Sequence, residues 1–291
     1  MDAFASHPAP VPAPVSPGPP PHMPLRNRIL FLILAWVIVL MPFLFWHGTW
    51  FGRPLSDRQI DEYLHDAQRP RHTQHALVQI GDRMSRHDPA VAPWYPDLVK
   101  LADSPVQEIR NTDAWVMGQD PTQPAFHQAL LKMLQDTSPL VRGNAALALV
   151  RFGDAAGHDL IVSLLEPAKI VAPSAGKLTD AAKPGTALHQ NGLVAKLKTS
   201  SGIAELRTST GGRLRAVPVK VGTDVAAGAD IAVVAPPADQ VWEALRALFL
   251  IGRTEDLPAI QSIEREAGDF PQRVSQQARL TAEAIRDRAT K

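Results

Sequence analysis

The sequence predicts a mainly α-helical repeat protein, interrupted by one all-β segment and preceded by a single transmembrane helix. Three observations carry this: an uncharged run from Ile29 to Trp46, a helical pattern that recurs, and a stretch between Lys169 and Pro237 where that pattern stops. At 291 residues, with 45% hydrophobic and 20% charged side chains, the chain has enough apolar material for a sizeable core. The formal net charge of +1 provides no field to recruit nucleic acid, and none is expected as a partner. Cysteine is absent, which excludes disulfides, thiol nucleophiles and thiolate metal sites.

Residues 1–28 are dominated by proline and alanine ahead of Leu25, a composition that favours an extended, disordered tail with no packed core. Residues 29–46 read ILFLILAWVIVLMPFLFW, without a charge and close to the length that spans a hydrocarbon core. Trp46, Trp50 and Phe51 lie where an interfacial aromatic belt belongs, and no small-residue cleavage pattern follows. Arg26 and Arg28 on one side nearly balance Arg53 and Arg58 on the other. The two nearest the span favour a cytoplasmic N-terminus and a periplasmic body, hence a single-pass protein of the inner membrane. Residues 47–72 are expected to be a juxtamembrane linker and helix, with Ser56 and Gln59 as a capping box ahead of Ile60 and Leu64.

From 73 to 168 the apolar positions follow a 3.6-residue period. Leu77, Ile80 and Met84 form one stripe; Phe126, Ala129, Leu130, Met133 and Leu134 form a second. The set Ser104, Pro105, Ile109, Arg110, Ala114, Trp115 and Gly118 returns about 32 to 35 residues later as Ser138, Pro139, Val141, Arg142, Ala146, Leu147 and Gly153. In each copy a proline opens a helix, a glycine closes it, and a second amphipathic helix follows. The first copy is about three residues short, which predicts a shorter leading helix. Residues 238–291 hold a third copy, with Val241, Leu245 and Leu248 ending at Gly252, then Leu257, Ile260 and Ile263. A closing helix from Val274 to Arg288 has a more polar outer face. The run from Val141 to Asp154 resembles the HEAT-repeat family in its short bacterial, lyase-type form. That resemblance implies an α-solenoid presenting a surface to another protein. Trp115 and Trp242 occupy the apolar stripes of their repeats and are read as core.

Residues 169–237 contain their own repeat, at an offset of 36 to 37 residues. Pro173, Gly176 and Leu178 return as Ser209, Gly212 and Leu214; Gly185 and Thr186 return as Gly222 and Thr223; Gly192 and Leu197 return as Gly228 and Val233. Two similar halves, each with a strand, a glycine turn, a Gly-Thr turn and another strand, resemble the biotinyl/lipoyl-attachment domain, a barrel-sandwich. The resemblance implies a carrier lysine at the tip of a central hairpin. Here that tip falls on Lys198, Thr199, Ser200 and Ser201, with Ser201 at the carrier position. Lys196 and Lys198 lie on the preceding strand, so no cofactor is expected. Cofactor-free barrels of this kind also occur in membrane-fusion adaptors of export systems.

The motif search yields no phosphate loop, nucleophile elbow or metalloprotease signature, and no enzyme activity is expected. His72 and His75 could share a helical face, but without a third ligand they are read as surface histidines and no metal is assigned. Asp57 with Asp61 or Glu62, and Glu264 with Glu266, sit among arginines and read as solvated faces. The sequence therefore points to a non-catalytic scaffold of the cell envelope. The expected contact residues are Thr199, Ser200, Ser201 and Gly202 on the hairpin, Gly211 and Gly212 on a second turn, and Arg110, Arg142 and Arg246 along a groove. Partners are expected to be other envelope proteins or further copies of the chain. The alternatives are a periplasmic adaptor of an export or efflux system and, disfavoured by Ser201, a lipoyl or biotin carrier.

Overall fold

A computed structural model describes residues 24–48, 54–66, 68–266 and 270–290, and the chain divides into two units, 1–54 and 55–291. The first unit contains α1 (Leu25–Gly48). Its described apolar side chains, from Ile29 to Met41, are all exposed. Among the described residues no helix is long and apolar enough to cross a membrane. The predicted transmembrane helix thus has no support from the described part of α1.

The second unit opens with α2 (Asp57–Leu64) and α3 (Pro70–Ser85). The predicted capping box is present: the Ser56 side chain accepts from the Gln59 backbone, and the Gln59 side chain accepts from Ser56 N–H. Ile60 and Leu64 are buried in the same core as Leu77, Ile80 and Met84, so α2 packs into the body. A 3₁₀ segment, Pro89–Trp94, leads into α4 (Tyr95–Leu101), followed by α5 (Gln107–Met117), α6 (Pro124–Met133), α7 (Pro139–Arg151) and α8 (His158–Ser163). After the β segment come α9 (Ala238–Ile251), α10 (Leu257–Arg265) and α11 (Gln272–Ala289). As the three-residue deficit predicts, α5 is shorter than α7.

Helices α3, α5, α7, α9 and α11 pack side by side in one layer, and α4, α6, α8 and α10 pack onto that layer from the other side. The turns between helices reuse one device. Asp120 accepts from Thr122 N–H, Asp136 from Ser138 N–H and Asp154 from Ala156 N–H, which stabilises each turn. Each carboxylate also binds a side chain from an earlier helix: Tyr95 for Asp120, Arg110 for Asp136 and His127 for Asp154. Successive repeats are thereby tied to one another at their turns.

The insertion leaves the helical stack continuous, because α7 and α8 both pack on α9 although the β segment separates them in sequence. The segment forms β1 (Ala168–Val171), β2 (Gly176–Ala181), β3 (Ala187–Leu188), β4 (Leu193–Thr199), β5 (Gly202–Arg207), β6 (Gly212–Ala216), β7 (Asp224–Val225) and β8 (Asp230–Ala235). Two antiparallel four-stranded sheets result, ordered β1-β8-β6-β3 and β5-β4-β2-β7. Exchanging the two sequence halves converts one order into the other, which is the geometric form of the internal repeat. Leu178, Leu197 and Ile231 fill one small core; Val194, Leu214 and Val234 fill the other. Arg215 on β6 holds Glu266, just past α10, through two bonds of 3.0 and 2.5 Å. The β unit is therefore pinned to the helical body and does not extend from it on a linker.

Candidate interaction groove

The α5, α7 and α9 faces of the first helical layer enclose a cleft of about 360 Å³. Trp115 and Gln119 enter it from α5 and its end, Asn144, Leu147 and Arg151 from α7, and Glu243, Arg246 and Leu250 from α9. Spacings of three or four residues on each helix put these side chains on one face. Two glycines let the helices approach closely. A Cβ on Gly118 would meet Ala148 Cβ at 2.9 Å, and one on Gly81 would meet the Trp115 ring at 2.6 Å. The indole consequently lies on α3 with its other side open.

The cleft holds exposed apolar area: Trp115 remains 42% exposed and Leu250 62%. The polar groups around them are held in place. Arg151 Nη1 donates to Gln119 Oε1 at 2.7 Å, and Asn144 Nδ2 donates to Asn111 Oδ1 at 3.0 Å. Arg246 lies over the Trp242 ring at 4.7 Å and 3.6 Å from Glu243, and Arg273 approaches the same ring at 5.4 Å. The result is an aromatic and aliphatic floor with an arginine rim, suited to binding a peptide or protein surface. It offers no nucleophile paired with a base. Among the described residues no group of three or more His, Asp or Glu side chains is arranged to hold a metal ion.

Of the three predicted groove arginines, only Arg246 is in the cleft. Arg110 is half-buried at a turn, where its Nε and Nη2 reach both Asp136 oxygens at 2.6 and 2.9 Å and Nη1 donates to Ser104 O. That bidentate bond raises the Arg110 pKa and holds the Asp136 carboxyl below its ordinary value. Arg142 caps the same turn by donating to the carbonyls of Asp136 and Thr137. Both arginines therefore stabilise the stack. Of the two tryptophans read as core, Trp115 is instead an open groove residue, whereas Trp242 is half-buried and packs against the core with two guanidinium groups over its ring.

On the β unit, Thr199 pairs with Gly202, leaving Ser200 and Ser201 as a two-residue tip between β4 and β5. Thr199 Oγ1 accepts from Ser201 N–H and donates to Gly202 O, so the turn satisfies itself. Gly211 and Gly212 are not an open contact turn. Gly212 pairs with Leu188 inside the sheet, and with φ at 153° an added Cβ would fall 2.1 Å from Ala235 O. His72 and His75 are buried, at 7% and 3% exposure, which overturns their reading as surface residues. His72 Nδ1 lies 2.7 Å from Asp66, and its ring stacks on Tyr63.

One residue the sequence reading passed over is Asp113 on α5. It is fully buried, neither carboxyl oxygen has a hydrogen-bond partner among the described residues, and burial alone pushes its pKa well above the ordinary value. The repeat itself contained the signal, since Asp113 stands where the next copy has Ala145.

Residues 128–156, running from within α6 through α7 to the following turn, match the HEAT repeat family model and form a HEAT-type repeat. Among solved structures, the chain is similar to an engineered protein from a structural genomics consortium (16% identity, 78% of each chain, TM-score 0.38). It is also similar to a designed armadillo repeat protein, at 14% identity over 78% of this chain and 80% of that one, with a TM-score of 0.37. No curated protein matches the chain.

Proposed function

We propose that this protein is a non-catalytic scaffold, held at a membrane by α1, that presents the α5–α7–α9 groove to a partner protein. The observation carrying this is the open Trp115 and Leu250 pair, flanked by Arg151 and Arg246, on a layer whose other large apolar side chains are mostly buried. HEAT-type repeats stack into surfaces of this kind, and the match at 128–156 includes Asn144, Leu147 and Arg151. The anchor reading rests on the uncharged sequence from Ile29 to Trp46. An inner-membrane location with a periplasmic body rests on the two arginines nearest the span and on reading the chain as bacterial.

Two measurements test the proposal. Alkaline carbonate extraction of native membranes should leave the full chain in the pellet and release a chain lacking residues 25–48; release of both refutes the anchor. Partner recovery from detergent-solubilised membranes should fall at least tenfold for Trp115→Ser combined with Leu250→Glu, at unchanged thermal stability. Equal recovery refutes the groove.

A second reading, an adaptor of an envelope export system, is favoured by one observation. The β unit has the exchange-related pair of sheets expected of a barrel-sandwich, with serines at the tip where a carrier lysine would stand. Co-purification with an inner-membrane transporter would support it, and an unmodified intact mass from native cells would exclude the carrier alternative.

A further inference from the structure

The helical body begins at Leu55, which is buried and held by α3. Leu55 N–H donates to Gln79 Oε1 at 2.7 Å, and its carbonyl accepts from Arg83 Nη2 at 3.0 Å. A backbone N–H can only donate, so the Gln79 atom facing it is the carbonyl oxygen, and this fixes the amide orientation. Gln79 Nε2 is thereby directed at His75 Nε2, 2.9 Å away and one helical turn back. The amide nitrogen can only donate as well, so His75 Nε2 must accept and the imidazole must be neutral.

Protonation of His75 sets two N–H donors against each other. A flip of the Gln79 amide would offer its oxygen to His75, but would then turn its NH2 group towards Leu55 N–H. No orientation of Gln79 satisfies both neighbours once His75 carries a second proton. We infer that His75 and Gln79 form an acid-sensitive latch, which holds the start of the body at Leu55 against α3 and releases it when His75 is protonated.

The surroundings favour the neutral form. Burial first, and then His72 on the same helix, pull the His75 pKa below its ordinary value of 6.5. The elements packed on α3 are α2, α5 and the Pro89–Trp94 segment. The Pro89–Trp94 segment carries no charge, and Tyr63 of α2 has its ring 6.3 Å from that of His75. Asp66, after α2, is bound to His72, and Asp57, Arg58, Asp61 and Glu62 of α2 are exposed, with Asp57 bound to Arg83 and Glu62 to Arg58. On α5, Glu108 is exposed, Arg110 is bound to Asp136, and Asp113 is buried with its pKa raised. A histidine whose folded value is depressed contributes stability at high pH that is lost as pH falls below 6.5. Release restores the ordinary value, so each pH unit below 6.5 favours the open form by up to about tenfold.

The test is amide hydrogen exchange of the full chain in detergent at pH 7.5 and 5.0, corrected for intrinsic rates. Protection at Leu55 N–H should fall severalfold in the wild type, while Ile60 N–H inside α2 keeps its protection. His75→Gln supplies a non-titrating acceptor and should abolish the difference. Gln79→Glu should reverse it, because the carboxylate accepts from Leu55 N–H and pairs with protonated His75. A wild-type Leu55 amide that does not respond to pH overturns the latch, as does an equal loss in His75→Gln. If that variant does not fold, Gln79→Glu decides: a fall matching the wild type rejects the mechanism.

Discussion

His158 Nε2 lies 2.8 Å from Asp256 Oδ2, joining α8 to the turn before α10 across the whole β insertion. Both side chains are nearly buried, Asp256 also accepts from Arg253 N–H, and His158 Nδ1 meets Asp159 at 3.0 Å. Together with Gln240 Nε2 on the Leu164 carbonyl, this pair closes the stack where the sequence opens it. Replacing His158 with Ala should cost about 1–3 kcal/mol, the typical cost of leaving a buried hydrogen-bonding group unpaired. Burial lowers the His158 pKa, but its bonds to Asp159 and Asp256 outweigh this and leave it raised. The stabilisation is therefore fully present below pH 6.5 and lost as pH rises through the folded value. Denaturant unfolding at pH 6 and pH 8 should show a larger wild-type advantage over His158→Ala at pH 6.

Asp113 works in the opposite direction. Its raised folded value means that wild-type stability declines as pH rises above the unfolded carboxyl value of about 4. Asp113→Ala, the residue at the matching position of the next repeat, should stabilise the body by about 1–3 kcal/mol at pH 7. Chemical denaturation from pH 5 to 8 checks this: the gain should grow with pH, and a destabilised variant would mean that the carboxylate has a role in holding the helices.

At the turn between α6 and α7, Arg110→Ala removes both bonds to Asp136 and leaves a nearly buried carboxylate. A loss of about 2–4 kcal/mol is expected at pH 7. Because Arg110 first, and Ser138 N–H after it, hold Asp136 below its ordinary value, the wild-type benefit is present above about pH 4 and disappears as pH falls through the folded value. Thermal unfolding of both proteins at pH 7 and pH 3 measures the convergence.

Most of the helical stack is legible because burial follows period. Phe126, Leu130 and Met133, or Val241, Leu245 and Leu248, must share a face whatever surrounds them. The internal repeat of residues 169–237 is equally legible, since equivalent halves build equivalent sheets. The arginine roles were hidden. Arg110, Arg142 and Arg246 carry the same charge on the same helix of their repeats, and only the third dimension places Asp136 beside the first two and an open cleft beside the last. Trp115 was misread for a related reason: its apolar stripe is wider than the buried seam, and Gly81 on a distant helix decides which side of the indole stays open. The His75–Gln79–Leu55 chain was hidden because it depends on an amide orientation that spacing does not encode.

Site-specific photo-cross-linking in intact cells probes the proposed role of the α5–α7–α9 groove as the contact surface. A photoreactive residue at Leu250, in the groove, should give a discrete adduct that Trp115→Ser abolishes, whereas the same residue at Lys132, on α6 of the other layer, should not. Adducts of equal yield from both positions, or none from Leu250, would contradict the account.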